Sequence, residues 1–216
     1  MPLQNRVDPF GAVHAVAMRG MFTGNRGVIH DPATRTLLIR RWTTRAWIVC
    51  TLAHPRGDRR EVMGRNAATG GPGWTELFFL DEVTALAAGH RPCFYCRRAQ
   101  ASDFAARFGH ALGITSPRAG DIDGHLHGER LAAGAVRSEF AAEAVADLPE
   151  GAMVSIDGMP HALWENRLLP WTFSGYGAPR SMDGLQGQAI ALITPPTTCA
   201  VLEQGYRPVW HPGAGS

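Results

Sequence analysis

Short apolar runs broken by polar residues dominate the first eighty positions. RTLLIRRW (35–42), AWIVCTLAHP (46–55), REVMGR (60–65) and WTELFFL (74–80) are brief and rich in β-branched and aromatic side chains, which predicts strands. The spacing changes after Asp81, a good N-cap residue. Val83, Leu86 and Ala87 form the apolar face of a short helix that Gly89 ends in a left-handed turn. A second helix is predicted from the cysteine pair to about Leu112, with Phe104, Ala105, Phe108 and Ala111 at helical spacing. Residues 121–146 read as further helix, interrupted by Gly124, Gly128 and Gly134. From residue 151, GAMVSIDGMPHALWENRLLPWTF and GQAIALIT return to strand, with Asp157-Gly158 as a hairpin turn. Residues 1–30 are Gly-rich and weakly patterned, and 64–73 form a loop. Strands, then helices, then strands predict a single α+β domain over residues 1–216, its central helices carrying the Cys-x-x-Cys described below.

Charge changes that picture. All 21 basic residues are arginine, and they are unevenly placed. Residues 1–98 hold 14 Arg against 7 acids, and residues 99–216 hold 7 against 12. Eight arginines fall between Arg35 and Arg65. GC-rich coding accounts for arginine in place of lysine but not for its position. A basic half suits a polyanion surface, with Arg40, Arg41, Arg59, Arg60, Arg97 and Arg98 as candidate nucleic-acid contacts. The competing reading is a solvated face whose arginines pair with acids such as Glu139, Glu143 and Asp147. The longest apolar runs are far too short to span a bilayer, and the first twenty residues lack the unbroken apolar stretch of a signal peptide. Cysteines at 50, 93, 96 and 199 do not form a secreted disulfide framework, so a cytoplasmic protein is expected.

The chemistry concentrates in AGHRPCFYCRR (88–98). Cys-x-x-Cys at a turn lets Cys93 and Cys96 reach one tetrahedral ion, and thiolates are soft ligands suited to zinc. A redox dithiol and two inert thiols are the alternatives. EVTALAAGHRPCFYC (82–96) also echoes TCAVLEQGYRPVWHP (198–212): a short apolar helix, a glycine stop, a ring residue and Arg-Pro. Loop convergence explains that echo as well as duplication does.

ELFFLDEVTALAAGHRPCFYCRR (76–98) resembles the second half of the metal-binding domain of the Ada DNA-repair protein, where an aromatic strand and an Ala-rich helix lead into Gly-aromatic-Arg-Pro-Cys-x-x-Cys. The resemblance implies a four-cysteine zinc site completed by an upstream Cys-x-x-x-Cys, DNA binding, and an upstream cysteine that accepts a methyl group from a DNA phosphotriester. This chain offers upstream only Cys50 and, four residues on, His54. On a strand those two point to one face, which gives a candidate Cys₃His set of Cys93, Cys96, Cys50 and His54. The apolar run around Cys50 favours instead a buried core thiol. Without the fourth cysteine, methyl transfer is not expected.

DIDGHLHGER (121–130) is the other chemical cluster. On a helix it pairs Asp121 with His125 and Asp123 with His127. An Asp-oriented imidazole of this kind serves a metal-dependent hydrolase, with Asp123 and His127 as candidate catalytic residues and Glu129 beside them; ordinary pairs on a solvated face are the alternative. GNRGVIHD (24–31) supplies glycines, Arg26 and His30 where backbone could approach an anion. LLPWTFSGYG (168–177) offers rings for stacking on a base or for core packing. No phosphate loop or dinucleotide fingerprint occurs. The expected function is therefore a zinc-binding protein that interacts with nucleic acid in repair or modification. The alternatives are a metal-dependent hydrolase acting on nucleic acid or a phosphorylated small molecule, and a small-molecule enzyme with structural zinc.

Overall fold

The computed structural model describes residues 1–53, 61–133 and 140–215. Its first sheet is built from β1 (Arg6–Val7), β2 (Val13–His14), β3 (Phe22–Asn25), β6 (Ile48–Thr51), β7 (Leu77–Phe79) and β8 (Arg91–Pro92), in the order β2-β1-β7-β3-β6-β8. Two strands, β4 (His30–Asp31) and β5 (Thr36–Leu37), form a separate hairpin. The second sheet holds β9 (Met153–Ile156), β10 (Met159–Trp164), β11 (Arg167–Thr172), β12 (Gly175–Tyr176) and β13 (Ile190–Leu192), in the order β12-β11-β10-β9-β13. Helices α1 (Glu82–Ala87), α2 (Arg98–Leu112), α3 (Ala119–Ala133) and α4 (Pro196–Glu203), with a 3-10 turn at Ala142–Asp147, complete a mixed α+β fold. Among the described residues no helix is long and apolar enough to cross a membrane.

Local chemistry accounts for most of these elements. Asp81 caps α1 by accepting a hydrogen bond from the Thr84 amide at 2.8 Å, and Gly89, at φ +79°, ends that turn in a conformation that costs other residues a Cβ clash. Asp157 and Gly158 both take positive φ in the β9–β10 turn, the backbone a two-residue hairpin needs. Helix α3 forms across Gly124 and Gly128 because Ile122 and Leu126 are buried on one face. The predicted strands at 35–42 and 60–65 do not extend as read. Only Thr36–Leu37 is strand, while Ile39, Arg40, Arg41 and Trp42 lie exposed in irregular chain and 61–65 is a turn.

Three apolar clusters hold the layers. Val7, Ile29, Val49, Leu77 and Phe79 lie under the first sheet. Phe104, Phe108, Ile122 and Leu126 pack with Val154, Leu163, Leu168 and Val201 around the second. Leu80, Val83 and Ala87 meet Met153, Ala162 and Trp171 between them.

Buried polar groups tie the same joint. Asp81 accepts from the Thr84 hydroxyl, the Tyr176 hydroxyl and the His211 amide. Glu82 accepts from both Arg97 Nη atoms, the Tyr206 hydroxyl and the Val209 amide, at 2.7–2.9 Å. An acidic dipeptide at the start of α1 thus fastens the C-terminal segments to the first sheet.

Candidate metal centre

The pairing of β6 with β8 brings the cysteines together. These strands run parallel, with Ile48 opposite Arg91 and Val49 opposite Pro92. The Cys93 amide continues the ladder to the Val49 carbonyl at 3.0 Å, so Cys50 and Cys93 leave the sheet edge side by side. The turn after β8 returns Cys96 to the same spot, closed by the Arg97 amide donating to the Cys93 carbonyl at 2.9 Å. The ligand atoms of Cys50, Cys93 and Cys96 all lie within 4.8 Å of one another. All three are free thiols. A spread within that limit accommodates the roughly 3.8 Å that separates thiolates bound about 2.3 Å from one tetrahedral ion.

The surroundings favour thiolate. The Tyr95 amide donates to the Cys93 sulfur at 3.4 Å, and the Thr51 amide points at Cys96. Hydrogen bonds from the Cys50 and Cys96 thiols, then from the Cys96 and Tyr95 amides, hold the Cys93 thiol far below its ordinary range. The same neighbours and burial push Cys50 up. One thiolate shared by two thiols is a site where a cation could replace the remaining protons. Cys93 is buried while Cys50 and Cys96 are part-exposed, so the trio opens on one side.

The cysteine site sits at strand ends and a turn, not within the central helices: Cys50 is on β6, Cys93 follows β8, and Cys96 precedes α2. The fold carries Cys50 to the pair because β6 lies at the sheet position next to β8, a long-range pairing that the apolar run around Cys50 does not reveal. His54, Arg59 and Arg60 lie outside the described residues. Among the described residues, no histidine or carboxylate joins the three sulfurs.

The other candidates occupy different places. Asp123 receives Arg91 Nε and Nη2 in a two-pronged pair, both at 2.8 Å, with both side chains nearly buried. His127 packs edge-on against Trp42, with ring centroids 4.6 Å apart. Asp121 accepts from the Arg118 amide at 2.7 Å, and His125 lies against Phe108. Among the described residues no hydrogen bond joins Asp121 to His125 or Asp123 to His127, and none of these four groups with the cysteines.

Arg97 is buried in its pair with Glu82, whereas Arg98 is exposed at the start of α2. Arg40 and Arg41 are exposed beside Trp42. His30 is buried and bonded to the Thr75 hydroxyl at 2.7 Å. Trp171 donates to the Thr84 hydroxyl and packs on Phe173, so that aromatic segment serves the core.

Two features escaped the sequence reading. Arg91 stands in the Arg-Pro of residues 88–98 and Glu82 opens the 82–96 echo, but only their distant partners, Asp123 and Arg97, reveal their buried ion pairs. Trp47 and Arg130 meet Arg26 around a cleft because β6 and α3 converge there, although Arg26 alone is signalled by its glycine-rich stretch. No protein-family model, no curated protein and no solved structure matches the chain.

Proposed function

We propose that this chain is a zinc-binding protein in which Cys50, Cys93 and Cys96 hold the metal and clamp β6 to β8, and that it acts on a nucleic-acid partner. The convergence of three sulfurs from two segments over forty residues apart carries the zinc reading. Three soft thiolates suit a d¹⁰ ion indifferent to ligand-field geometry, and the segment at 76–98 that resembles the Ada metal-binding domain supplies two of them. Bound zinc would supply charge neutralisation and a cross-link at the sheet edge. The fourth ligand would come from His54 or from solvent.

The nucleic-acid reading rests on that resemblance and on Arg40, Arg41 and Trp42, an exposed basic-aromatic stretch free of ion pairs among the described residues. With only three cysteines in the cluster, methyl transfer of the Ada kind forms no part of the proposal.

Metal analysis of the purified protein tests the first part: about one zinc per chain is expected, with zinc and thermal stability lost together in Cys93→Ser and Cys50→Ser. Full retention of both in these variants refutes it. Affinity for a short DNA measured against salt tests the second part. Binding should weaken steeply with salt, and Arg40→Gln with Arg41→Gln should flatten the slope by roughly two phosphate contacts' worth. Absence of binding at low salt to DNA and RNA alike refutes the nucleic-acid part and leaves the zinc part standing.

A further inference from the structure

A cleft of about 880 Å³ opens where Arg26 and Trp47 of the first layer face Glu129 and Arg130 on α3 and Phe140 and Ile193 near the second sheet. That volume lies in the range of small-molecule sites. Its lining is unusual in charge. Arg26 is 2% exposed, yet it makes no ion pair among the described residues. Its Nη1 donates to the Gly11 carbonyl at 2.9 Å, its Nε to His90 Nε2 at 3.3 Å, and its guanidinium lies 3.9 Å from the centre of the Trp47 ring. Arg130 lies over the same ring at 4.3 Å, with its Nη atoms on the Gly89 and Arg45 carbonyls. Burial, then Arg130, lowers the Arg26 pKa to about 9, which still leaves it charged near neutral pH. Two cations share one indole with no anion between them, a costly arrangement in a desolvated place.

The unused hydrogen-bonding capacity gathers at the same point. Seven buried side-chain polar atoms among the described residues lack a partner, and four belong to this lining: Arg26 Nη2, Arg130 Nε, Trp47 Nε1 and Glu129 Oε2. Buried polar atoms are nearly always satisfied, so a cluster of four unpaired ones points to a missing partner. The other Glu129 oxygen already accepts from the Thr197 amide and hydroxyl, at 2.9 and 2.6 Å, which fixes the carboxylate in place. Arg41 adds a third cation, so the lining carries three arginines against one glutamate.

We propose that this cleft binds a small molecule bearing a phosphate or carboxylate group. The anionic group lies toward Arg26, Arg130 and Arg41. A hydroxyl or amino group of the ligand donates to Glu129, and its apolar part rests against Phe140 and Ile193. The ligand supplies a direct ion-pair partner for Arg26, whose nearest acidic influence, Asp8, makes no ion pair with it among the described residues. This inference goes beyond the proposed metal and nucleic-acid functions and depends on neither.

Calorimetric titration of the full chain at low salt, with inorganic phosphate, a nucleoside 5′-monophosphate and citrate, tests it. A saturable site is expected for at least one of the three, and the ranking distinguishes a phosphate ligand from a carboxylate. Arg130→Gln should weaken binding by roughly tenfold or more, and Arg41→Gln, at an exposed position that leaves folding intact, by several-fold. Zinc content should be the same in these variants as in the parent. Arg26→Gln is the strongest test where it folds; where it does not, Arg41→Gln and Arg130→Gln decide. Lack of saturable binding by all three probes at millimolar concentration overturns the proposal. Affinity unchanged in both Arg41→Gln and Arg130→Gln does so too. Polynucleotide binding that is lost in Arg130→Gln, while none of the three probes shows a saturable site, assigns the cleft arginines to a macromolecular surface and likewise overturns it.

Discussion

Replacing Glu82 by Gln should be among the most destabilising single changes in the molecule, and the structure sets the scale. The Glu82 side chain is fully buried and that of Arg97 is 3% exposed. The carboxylate accepts four hydrogen bonds of 2.7–2.9 Å, two from Arg97 and one each from Tyr206 and Val209. An amide keeps one acceptor oxygen, turns an NH₂ toward existing donors and leaves the Arg97 charge uncompensated. Breaking a buried pair in this way costs about 3–5 kcal/mol. Against a total of roughly 5–15 kcal/mol that is a large share, and in a chain of this length it lowers the melting temperature by roughly 6–20 °C. Arg97→Met should cost a similar amount by stranding the carboxylate. The double variant should cost less than the sum, with a coupling of about 2 kcal/mol or more. Urea unfolding of the four proteins measures the cycle. A single-variant cost under about 1 kcal/mol, or strict additivity, refutes the assignment. Because Arg97 follows Cys96 and its amide holds the Cys93 carbonyl, the proposed zinc site predicts that both variants release metal to a chelator faster than the parent.

Three further outcomes follow from individual environments. His90 is fully buried, and burial first, then Arg26 and Arg130, hold its pKa well below the usual imidazole range. The unfolded chain therefore takes up a proton below about pH 6.5 that the folded chain refuses, so this contribution is present above that pH and fades below it, by up to about 1.4 kcal/mol per unit. His161 acts in the same direction. His90→Asn should flatten the acid limb of a stability–pH profile, and an unchanged limb contradicts the assignment. Gly124→Ala and Gly128→Ala place a methyl group in open space on α3 and should each raise stability by about 0.5–1 kcal/mol in urea unfolding; destabilisation by either argues against the helix as described. Gly24→Ala puts Cβ 2.1 Å from the Ile48 carbonyl oxygen at the β3–β6 contact and should cost about 3 kcal/mol; a neutral result in the same assay contradicts that close approach.

The legible parts of the sequence were those in which local chemistry decides. Asp81 with Val83, Leu86 and Ala87 specified α1, Asp157-Gly158 specified a hairpin, and Phe104 with Phe108 marked the inner face of α2. The run at 35–42 misled because its β-branched and aromatic content suits a strand, whereas Ile39 and Trp42 remain exposed and bury too little to hold one. Asp123 and His127 stood four apart as anticipated on α3, but Arg91, more than thirty residues away, had the stronger claim on the carboxylate. A charge-assisted bidentate bond inside the protein outweighs a same-helix partner. Cys50 was ambiguous for the same reason: an apolar strand is equally consistent with a core thiol and with a ligand, and only its neighbour strand distinguishes them.

The β6–β8 pair also explains why two sites of different chemistry lie on one short piece of structure. At one end of the pair Trp47 accepts from the Arg91 amide at 3.1 Å, and Trp47, with Ala88 and Gly89 just before β8, forms part of the cleft wall. At the other end, within a few residues, Cys50 and Cys93 leave the ladder together. The ladder itself is only two residue pairs long, and β8 is a sheet edge, so backbone bonds alone hold it weakly. A metal held by Cys50 from one strand and Cys93 and Cys96 from the other would cross-link the ladder where it is shortest. The buried Arg91–Asp123 and Arg97–Glu82 pairs brace β8 and its turn from the helical side. A strand anchored on both faces would fix the backbone beside Trp47, whose indole lies under two guanidinium groups. The proposed metal centre would then have no need to touch a ligand: it would act by holding the wall of the proposed anion cleft in place.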